Sequence, residues 1–123
     1  MDWQTELKEQ FPELTNKIYG FEHNEGWKNL ILRMLDEVDR YNAYSASNDP
    51  EYTPAYFVQI KEKFGGLRAY FEGGNDNVYK IVLKYEHESM TICEVCGTKE
   101  NVKTRSNKGW IQSTCENHKE RKQ

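Results

Sequence analysis

The feature that most constrains this chain is the placement of its three cysteines, all of which follow residue 92. Two residues separate Cys93 from Cys96, which is followed by a glycine, and two residues separate Cys115 from His118. A tight turn ending in glycine lets two thiolates approach one ion, and a second pair at the start of a helix completes a tetrahedron. The pattern predicts one zinc ion bound by Cys93, Cys96, Cys115 and His118.

The segment between the two ligand pairs has the pattern of a short β-hairpin. Val102 and Thr104 fit one strand, residues 107–109 a turn, and Trp110 to Thr114 the return strand. The turn that carries Cys93 and Cys96, the hairpin and the ligand-bearing helix together resemble a treble-clef zinc finger. Because three thiolates and one imidazole fill all four positions, no position remains for an activated water, and the predicted zinc is structural.

The cysteines allow three other interpretations. They can be buried free thiols beside a surface histidine, although two paired spacings in one segment disfavour this. A disulfide is disfavoured because the cysteine count is odd and the expected compartment is reducing. A redox-active CxxC turn would be expected in a thioredoxin-like fold, which the pattern does not support.

The length of 123 residues suits a single domain, and 13% aromatic residues are too many for a disordered chain. We predict a helical and hairpin core over residues 1–90 and a zinc module over 91–123, packed as one compact unit. No apolar run approaches the roughly 20 residues needed to cross a bilayer, and residues 1–4 lack a signal-peptide pattern. We therefore expect a protein of the cytoplasm.

Hydrophobic periodicity predicts an α+β fold, with helices packed on a short antiparallel hairpin. A helical pattern broken at Pro12 covers residues 3–18. A long helix is predicted over roughly 25–44, with Asn24 as its cap, and residues 43–54 as a loop. A third helix follows a cap at Asn75 or Asp76 and ends near residue 89. Its apolar positions are Val78, Tyr79, Val82 and Tyr85.

The predicted hairpin consists of two alternating strands, 56–61 and 67–72, joined at Gly65 and Gly66. On the long helix, Trp27 and Leu35 share one apolar stripe. We expect this stripe to pack against one face of the hairpin. The residues expected on that face are Val58, Ile60, Leu67 and Phe71.

The net charge of −3 is unevenly distributed, since acids outnumber bases before residue 60 and bases outnumber acids after it. An acidic half disfavours contact with phosphate backbones, so the balance favours protein partners. The candidate partner-binding residues are Asp36, Glu37, Asp39, Asp49 and Glu51. In the basic half, Lys61, Lys63, Arg68 and Tyr70 can form a nucleic-acid face or simply the solvated side of a sheet.

No catalytic constellation is evident. His23 and His87 have no acid or nucleophile at a suitable spacing and are predicted to be surface or capping residues. Treble-clef nucleases of the HNH type need a histidine at the end of the first finger strand. Lys103, Thr104 and Arg105 occupy that position, so a nuclease is disfavoured. A hydrolytic enzyme would need activity tied to an added divalent ion.

Several segments together resemble a family of small phage- and prophage-encoded proteins. The resemblance covers roughly residues 10–118. It is carried by Gly26-Trp27, by residues 58–68, by residues 92–97, by Gly109-Trp110-Ile111 and by residues 115–118. It implies a zinc-binding accessory protein and adds no catalytic residue.

More loosely, the chain resembles a metal-binding anti-CRISPR protein that blocks target DNA loading by the type II-A effector nuclease. This implies a non-enzymatic inhibitor that binds a host defence nuclease in the host cytoplasm. The alternative is a nucleic-acid-binding accessory protein that uses the basic C-terminal half.

Overall fold

The computed structural model describes residues 2–119 and shows a mixed α+β fold, which confirms that part of the prediction. The end of the predicted zinc module, residues 120–123, lies outside the described residues. No described helix is both long and apolar enough to cross a membrane. The elements are α1 (Trp3–Gln10), α2 (Pro12–Thr15), β1 (Phe21–Glu22), a 3₁₀ turn (Glu25–Trp27), α3 (Lys28–Asn48), β2 (Tyr56–Lys63), β3 (Gly66–Glu72), α4 (Asp76–Ser89), β4 (Lys103–Asn107), β5 (Trp110–Thr114) and a second 3₁₀ turn (Glu116–His118).

Two of the predicted helical regions are confirmed. The first is broken at Pro12, which occupies the first turn of α2, where its missing N–H costs nothing. The cap of α4 is Asn75, whose side chain accepts hydrogen bonds from the N–H groups of Asn77 and Val78. Tyr79, assigned to the apolar stripe of this helix, is instead 58% exposed.

The long helix differs from its prediction at both ends. Residues 25–27 form a 3₁₀ turn, Asn24 makes no side-chain cap bond, and α3 continues to Asn48 through part of the predicted loop. The C-terminal part of the helix is also held by a tertiary contact. The Asn42 side chain donates to the carbonyl of Ala55 and accepts from its N–H, both at 3.0 Å, which fastens this end of the helix to the segment before β2.

The main sheet has the order β1-β2-β3. β2 and β3 form the predicted antiparallel hairpin, but β1 pairs in parallel with β2, with Phe21 opposite Ile60. A strand of two residues is too short to show a period of two, so sequence reasoning missed it. The helix α3 lies between β1 and β2 in the chain.

The hairpin contains a β-bulge that the alternation did not predict. Register shifts between Phe57 and Gln59, so Val58 has no paired residue and is 37% exposed. Phe57 and Ile60, three residues apart, both become fully buried because the bulge reverses the alternation. The prediction that Val58 packs in the core is therefore wrong.

The inner face of the sheet and the helices share one core. Trp27 and Leu35 are fully buried, as predicted, together with Ile60 and Leu67, whereas Phe71 is only partly buried. Fully buried side chains come from all four helices, including Leu7 of α1 and Leu14 of α2, and from both long strands. Those with 0% exposure include Ile31, Met34, Val38, Phe57 and Val78.

Candidate metal centre

The first ligand pair lies on a tight turn that follows α4. The N–H of Gly97 donates to the carbonyl of Cys93 at 2.8 Å, and the N–H of Cys93 donates to the carbonyl of Thr98 at 2.9 Å. Gly97 has φ +82°, a left-handed conformation that glycine adopts at little cost. The turn therefore points two thiols to the same side, as the sequence predicted.

The second pair lies where β5 ends. Cys115 precedes the 3₁₀ turn, and the N–H of His118 donates to the Cys115 carbonyl at 3.1 Å. The sequence predicted a helix beginning here, and the described residues show only this single turn. One turn is sufficient to bring both donor atoms to the same side.

The four predicted ligands converge. The Sγ atoms of Cys96 and Cys115 are 3.8 Å apart, and His118 Nδ1 lies 3.7 Å from Cys93 Sγ and 3.2 Å from Cys115 Sγ. All four donor atoms lie within 4.8 Å of one another. Zinc–sulfur bonds of about 2.3 Å at tetrahedral angles place two sulfurs about 3.8 Å apart, so the spacing fits a bound metal ion.

The same distances rule out a disulfide. A sulfur–sulfur bond is about 2.05 Å long, and the cysteines at 93, 96 and 115 are all free thiols. Cys96 and Cys115, whose Sγ atoms are 3.8 Å apart, thus belong to one convergent group of donors rather than to a covalent bridge. Of the interpretations weighed from sequence, metal ligation fits this geometry best.

The thiol of Cys93 is prepared for ligation by its surroundings. Burial opposes its ionisation. Backbone N–H groups of Cys115, Cys96 and Val95, with the His118 side chain, outweigh burial and lower the pKa of Cys93 to about 6. Because the thiolate is the form that binds metal, little free energy is needed to deprotonate this ligand near neutral pH.

Glu94 is a fully buried carboxyl residue that sequence reasoning missed. Its Oε2 accepts from the N–H of Asn24 at 3.1 Å, and its own N–H donates to the Ser113 carbonyl at 3.0 Å. Burial raises the pKa of Glu94 to about 7, and the negative charge of Glu62 adds to this shift. A glutamate between two cysteines gives no sequence signal of burial, because charged residues in turns are usually exposed.

Gly26 and Trp27 connect the ligand turn to the core. A Cβ atom on Gly26 would lie 2.3 Å from the carbonyl oxygens of Cys93 and Glu94, so only glycine allows this approach. The N–H of Gly26 donates to the Glu94 carbonyl at 2.8 Å, and Trp27 Nε1–H donates to the Ile92 carbonyl at 3.0 Å. The 3₁₀ turn that precedes α3 is thus hydrogen-bonded to the turn that carries Cys93 and Cys96.

The five acidic residues proposed for partner binding do not form one cluster. Asp36, Glu37 and Asp39 lie on α3, whereas Asp49 and Glu51 follow its end. At 1.5 Å per helical residue, Asp36 and Asp49 are separated by roughly 20 Å. The side chain of Asp49 also accepts from the N–H of Glu51 at 2.9 Å, as a local turn contact.

Of the three acids on α3, one is hydrogen-bonded to side chains of α4. Glu37 Oε1 accepts from Lys84 Nζ at 2.7 Å and from the Tyr85 hydroxyl at 2.6 Å. The hydrogen bond from Lys84 is the main cause that lowers the pKa of Glu37. Asp36 pairs with Arg40 at 3.0 Å in an exposed contact of small energetic value, and Asp39 is exposed.

His87 is exposed in the last turn of α4, which agrees with its prediction. His23 is only partly exposed, and its Nε2 atom is buried. Its ring packs among Trp3, Phe21 and Trp27, with centroid distances of 5.1, 5.9 and 5.6 Å. Nδ1 lies 2.8 Å from the Asn24 carbonyl, which can only accept, so Nδ1 carries the proton. Burial lowers the pKa of His23 to about 4.

This burial predicts a pH dependence of stability. An unfolded imidazole titrates near pH 6.5, so between pH 6.5 and 4 the unfolded chain binds a proton that the folded chain does not. The free energy of unfolding should fall as pH is lowered through this window, by up to about 3 kcal/mol. Denaturant unfolding of the wild type and His23→Phe at several pH values measures this contribution.

All other titratable groups are common to both proteins, so the difference between the two curves reports His23. The free energy of unfolding of the wild type minus that of His23→Phe should be constant above pH 7. It should fall steadily as the pH is lowered from 6.5 to 4. Parallel curves over the whole range would show that the ring is hydrated in the folded protein.

The chain matches no family model, no curated protein and no solved structure. The resemblance to small phage proteins and to an anti-CRISPR protein therefore stays a prediction. The support for a function comes from the candidate metal centre and from the charged surfaces of the protein.

Proposed function

We propose that Cys93, Cys96, Cys115 and His118 hold one Zn²⁺ ion as a structural centre. The observation that carries this proposal is the convergence of the four donor atoms within 4.8 Å. Three thiolates with one imidazole are a soft donor set typical of zinc, and reduced thiols fit a cytoplasmic location. The turn, the β4–β5 hairpin and the final 3₁₀ turn further support a treble-clef-like module.

A centre of this kind stabilises structure rather than performing chemistry. The zinc ion, when bound, supplies cross-linking between the segment after α4 and the end of β5. The four protein donors fill a tetrahedron, which leaves no position for a reacting water. We therefore propose a protein that acts by binding and has no enzymatic activity.

We further propose that its partner is a host defence nuclease, a type II-A CRISPR effector whose loading of target DNA it blocks. The resemblance described above supports this partner, and so does the exposed acidic flank of α3. Asp39 and Glu13 line a cleft of about 260 Å³ whose apolar lining residues include Leu14 and Ala43. Carboxylates beside an apolar floor suit the long basic side chains of a DNA-binding surface.

Charge reversal on α3 tests the proposal. Asp36→Lys with Asp39→Lys should weaken binding to the effector by about 10-fold or more and should reduce inhibition of DNA cleavage in step. Glu37 is left unchanged because it bonds Lys84 and Tyr85. Binding is measured with purified effector and guide, and cleavage with excess inhibitor.

The matched control is Glu9→Lys with Glu100→Lys, which changes the net charge equally at two other exposed acids. It should bind and inhibit as the wild type does. An undiminished cleavage rate across several type II-A effectors, with folded metal-loaded wild type in excess, would refute the inhibitor function and favour the nucleic-acid-binding alternative.

A further inference from the structure

The turns of the two hairpins lie side by side. Phe64 and Gly65 form the turn between β2 and β3, one residue earlier than predicted, and both have positive φ. Ser113 Oγ of β5 donates to the Gly65 carbonyl at 2.6 Å, which joins the hairpins. A cleft of about 270 Å³ opens between them. It is lined by Glu62, Lys63, Phe64, Gly109, Trp110 and Ile111.

Phe64 is unfavourable for folding at this position. Its φ of +54° is a left-handed conformation that costs free energy for a bulky residue, and asparagine or glycine is preferred there. Its ring is nevertheless 66% exposed, so little packing offsets the cost. Trp110, across the cleft, is 45% exposed. Two large rings are thus displayed at adjacent turns.

Cations alternate with aromatic rings on the outer face of the same hairpin. Lys63 Nζ lies 5.6 Å from the Phe64 ring centroid, and Lys61 Nζ lies 5.8 Å from that of Tyr70. Lys61 is also paired directly opposite Arg68, an arrangement of like charges that destabilises a sheet. Within residues 2–119, none of these three cations forms an ion pair.

We propose that this hairpin face binds single-stranded nucleic acid, with Phe64 and Trp110 stacking on bases and the neighbouring cations contacting phosphates. Rings that alternate with lysine and arginine match the alternation of bases and phosphates. A protein partner would favour a continuous apolar centre from which lysine is depleted. The site is separate from the acidic flank of α3, so it goes beyond the proposed inhibitor function.

Acidic residues limit the extent of the site. Glu22 lies beside Lys61 on the edge strand, and Glu72 lies at the far end of β3. The positive region is therefore confined to the half of the hairpin nearest the turn, where Glu62, the one acid among the described residues that line the cleft, accepts from the Gly65 N–H at 2.8 Å. Lys61 and Lys63, two residues apart on one strand, are spaced by roughly 7 Å along it. We expect a short site of only a few nucleotides.

Fluorescence anisotropy with labelled single-stranded DNA and RNA 15-mers tests the proposal. The metal-loaded wild type should bind at about 50 mM salt with a Kd in the micromolar range and weaken steeply as salt rises. Phe64→Asn introduces a residue that the turn favours, so the variant should fold at least as well as the wild type. It should raise Kd by between about 5-fold and 150-fold, the range for losing one stacking ring.

Trp110→Thr should show a similar loss, and Lys63→Gln should weaken binding and flatten the salt dependence. The matched control, Tyr44→Ala, removes a 67% exposed ring from α3 and should bind as the wild type does. Absence of oligonucleotide binding at low salt overturns the proposal. The proposal is also overturned if the Phe64→Asn and Trp110→Thr proteins bind the oligonucleotides as tightly as the wild type does. Loss of effector binding alone in these variants would instead assign the face to a protein interface.

Discussion

Replacing Cys115 by serine should release the metal and unfold the segment around it. A hydroxyl is a poor zinc ligand, and three remaining donors cannot close the tetrahedron. Structural zinc sites contribute about 10 to 16 kcal/mol of apparent binding free energy in small finger peptides, which is comparable to the stability of a whole domain. Loss of one ligand is therefore expected to have the largest effect of any single change outside the core.

The contacts of the ligand turn define how far the damage should spread. Gly26 and Trp27 bond the backbone of Glu94 and Ile92, so the start of α3 should loosen with residues 91–119. The inner core of α3, β2 and β3 has its own buried residues and should persist at lower stability. Hydrogen exchange should show faster exchange at residues 24–27 as well as at the metal centre.

The measurements are elemental zinc content, thermal midpoint and hydrogen exchange, each on the wild type and the variant. The wild type should contain about one zinc per chain. Asn117→Ala is the matched control, because Asn117 is exposed within the same 3₁₀ turn and supplies no donor. A Cys115→Ser protein that kept both its zinc and its midpoint would show that the ligand set is wrong.

Trp27→Ala should lower the free energy of unfolding by about 3 to 5 kcal/mol. The side chain is fully buried, and its removal leaves a cavity between α3 and the ligand turn. It also leaves the Ile92 carbonyl without its donor at 3.0 Å, which adds the cost of an unpaired buried acceptor. Such a loss is a large fraction of the stability of an ordinary domain.

Two comparisons separate burial from the change of residue. Trp110→Ala makes the same replacement at a ring that is 45% exposed and should cost less than about 1 kcal/mol. Trp27→Phe keeps an aromatic ring but removes the donor, and should lie between the wild type and Trp27→Ala. Denaturant unfolding gives all three values. Equal stability of Trp27→Ala and Trp110→Ala would contradict the buried position of Trp27.

Part of the fold was predictable because its signals are local. The break at Pro12, the Asn75 cap and the presence of the two hairpins each depend on neighbouring residues only, although the first hairpin turn lies one residue earlier than predicted. The convergence of the four candidate ligands was also predictable, since two residues separate the members of each pair on its own turn. The C-terminal end of α3 was predicted wrongly because serine and asparagine usually favour turns, whereas Ser47 and Asn48 here donate side-chain hydrogen bonds to helix carbonyls four residues back.

The sequence by itself determined the four residues that converge as candidate metal ligands, the α+β class and the apolar stripe that carries Trp27. Only the tertiary structure decided the bulge that exposes Val58, the burial of His23 and Glu94, and the approach of Gly26 to the ligand turn. Periodicity records which local face is apolar. Burial of a polar group depends on a partner far along the chain, as Asn24 is for Glu94, and no local pattern records that pairing.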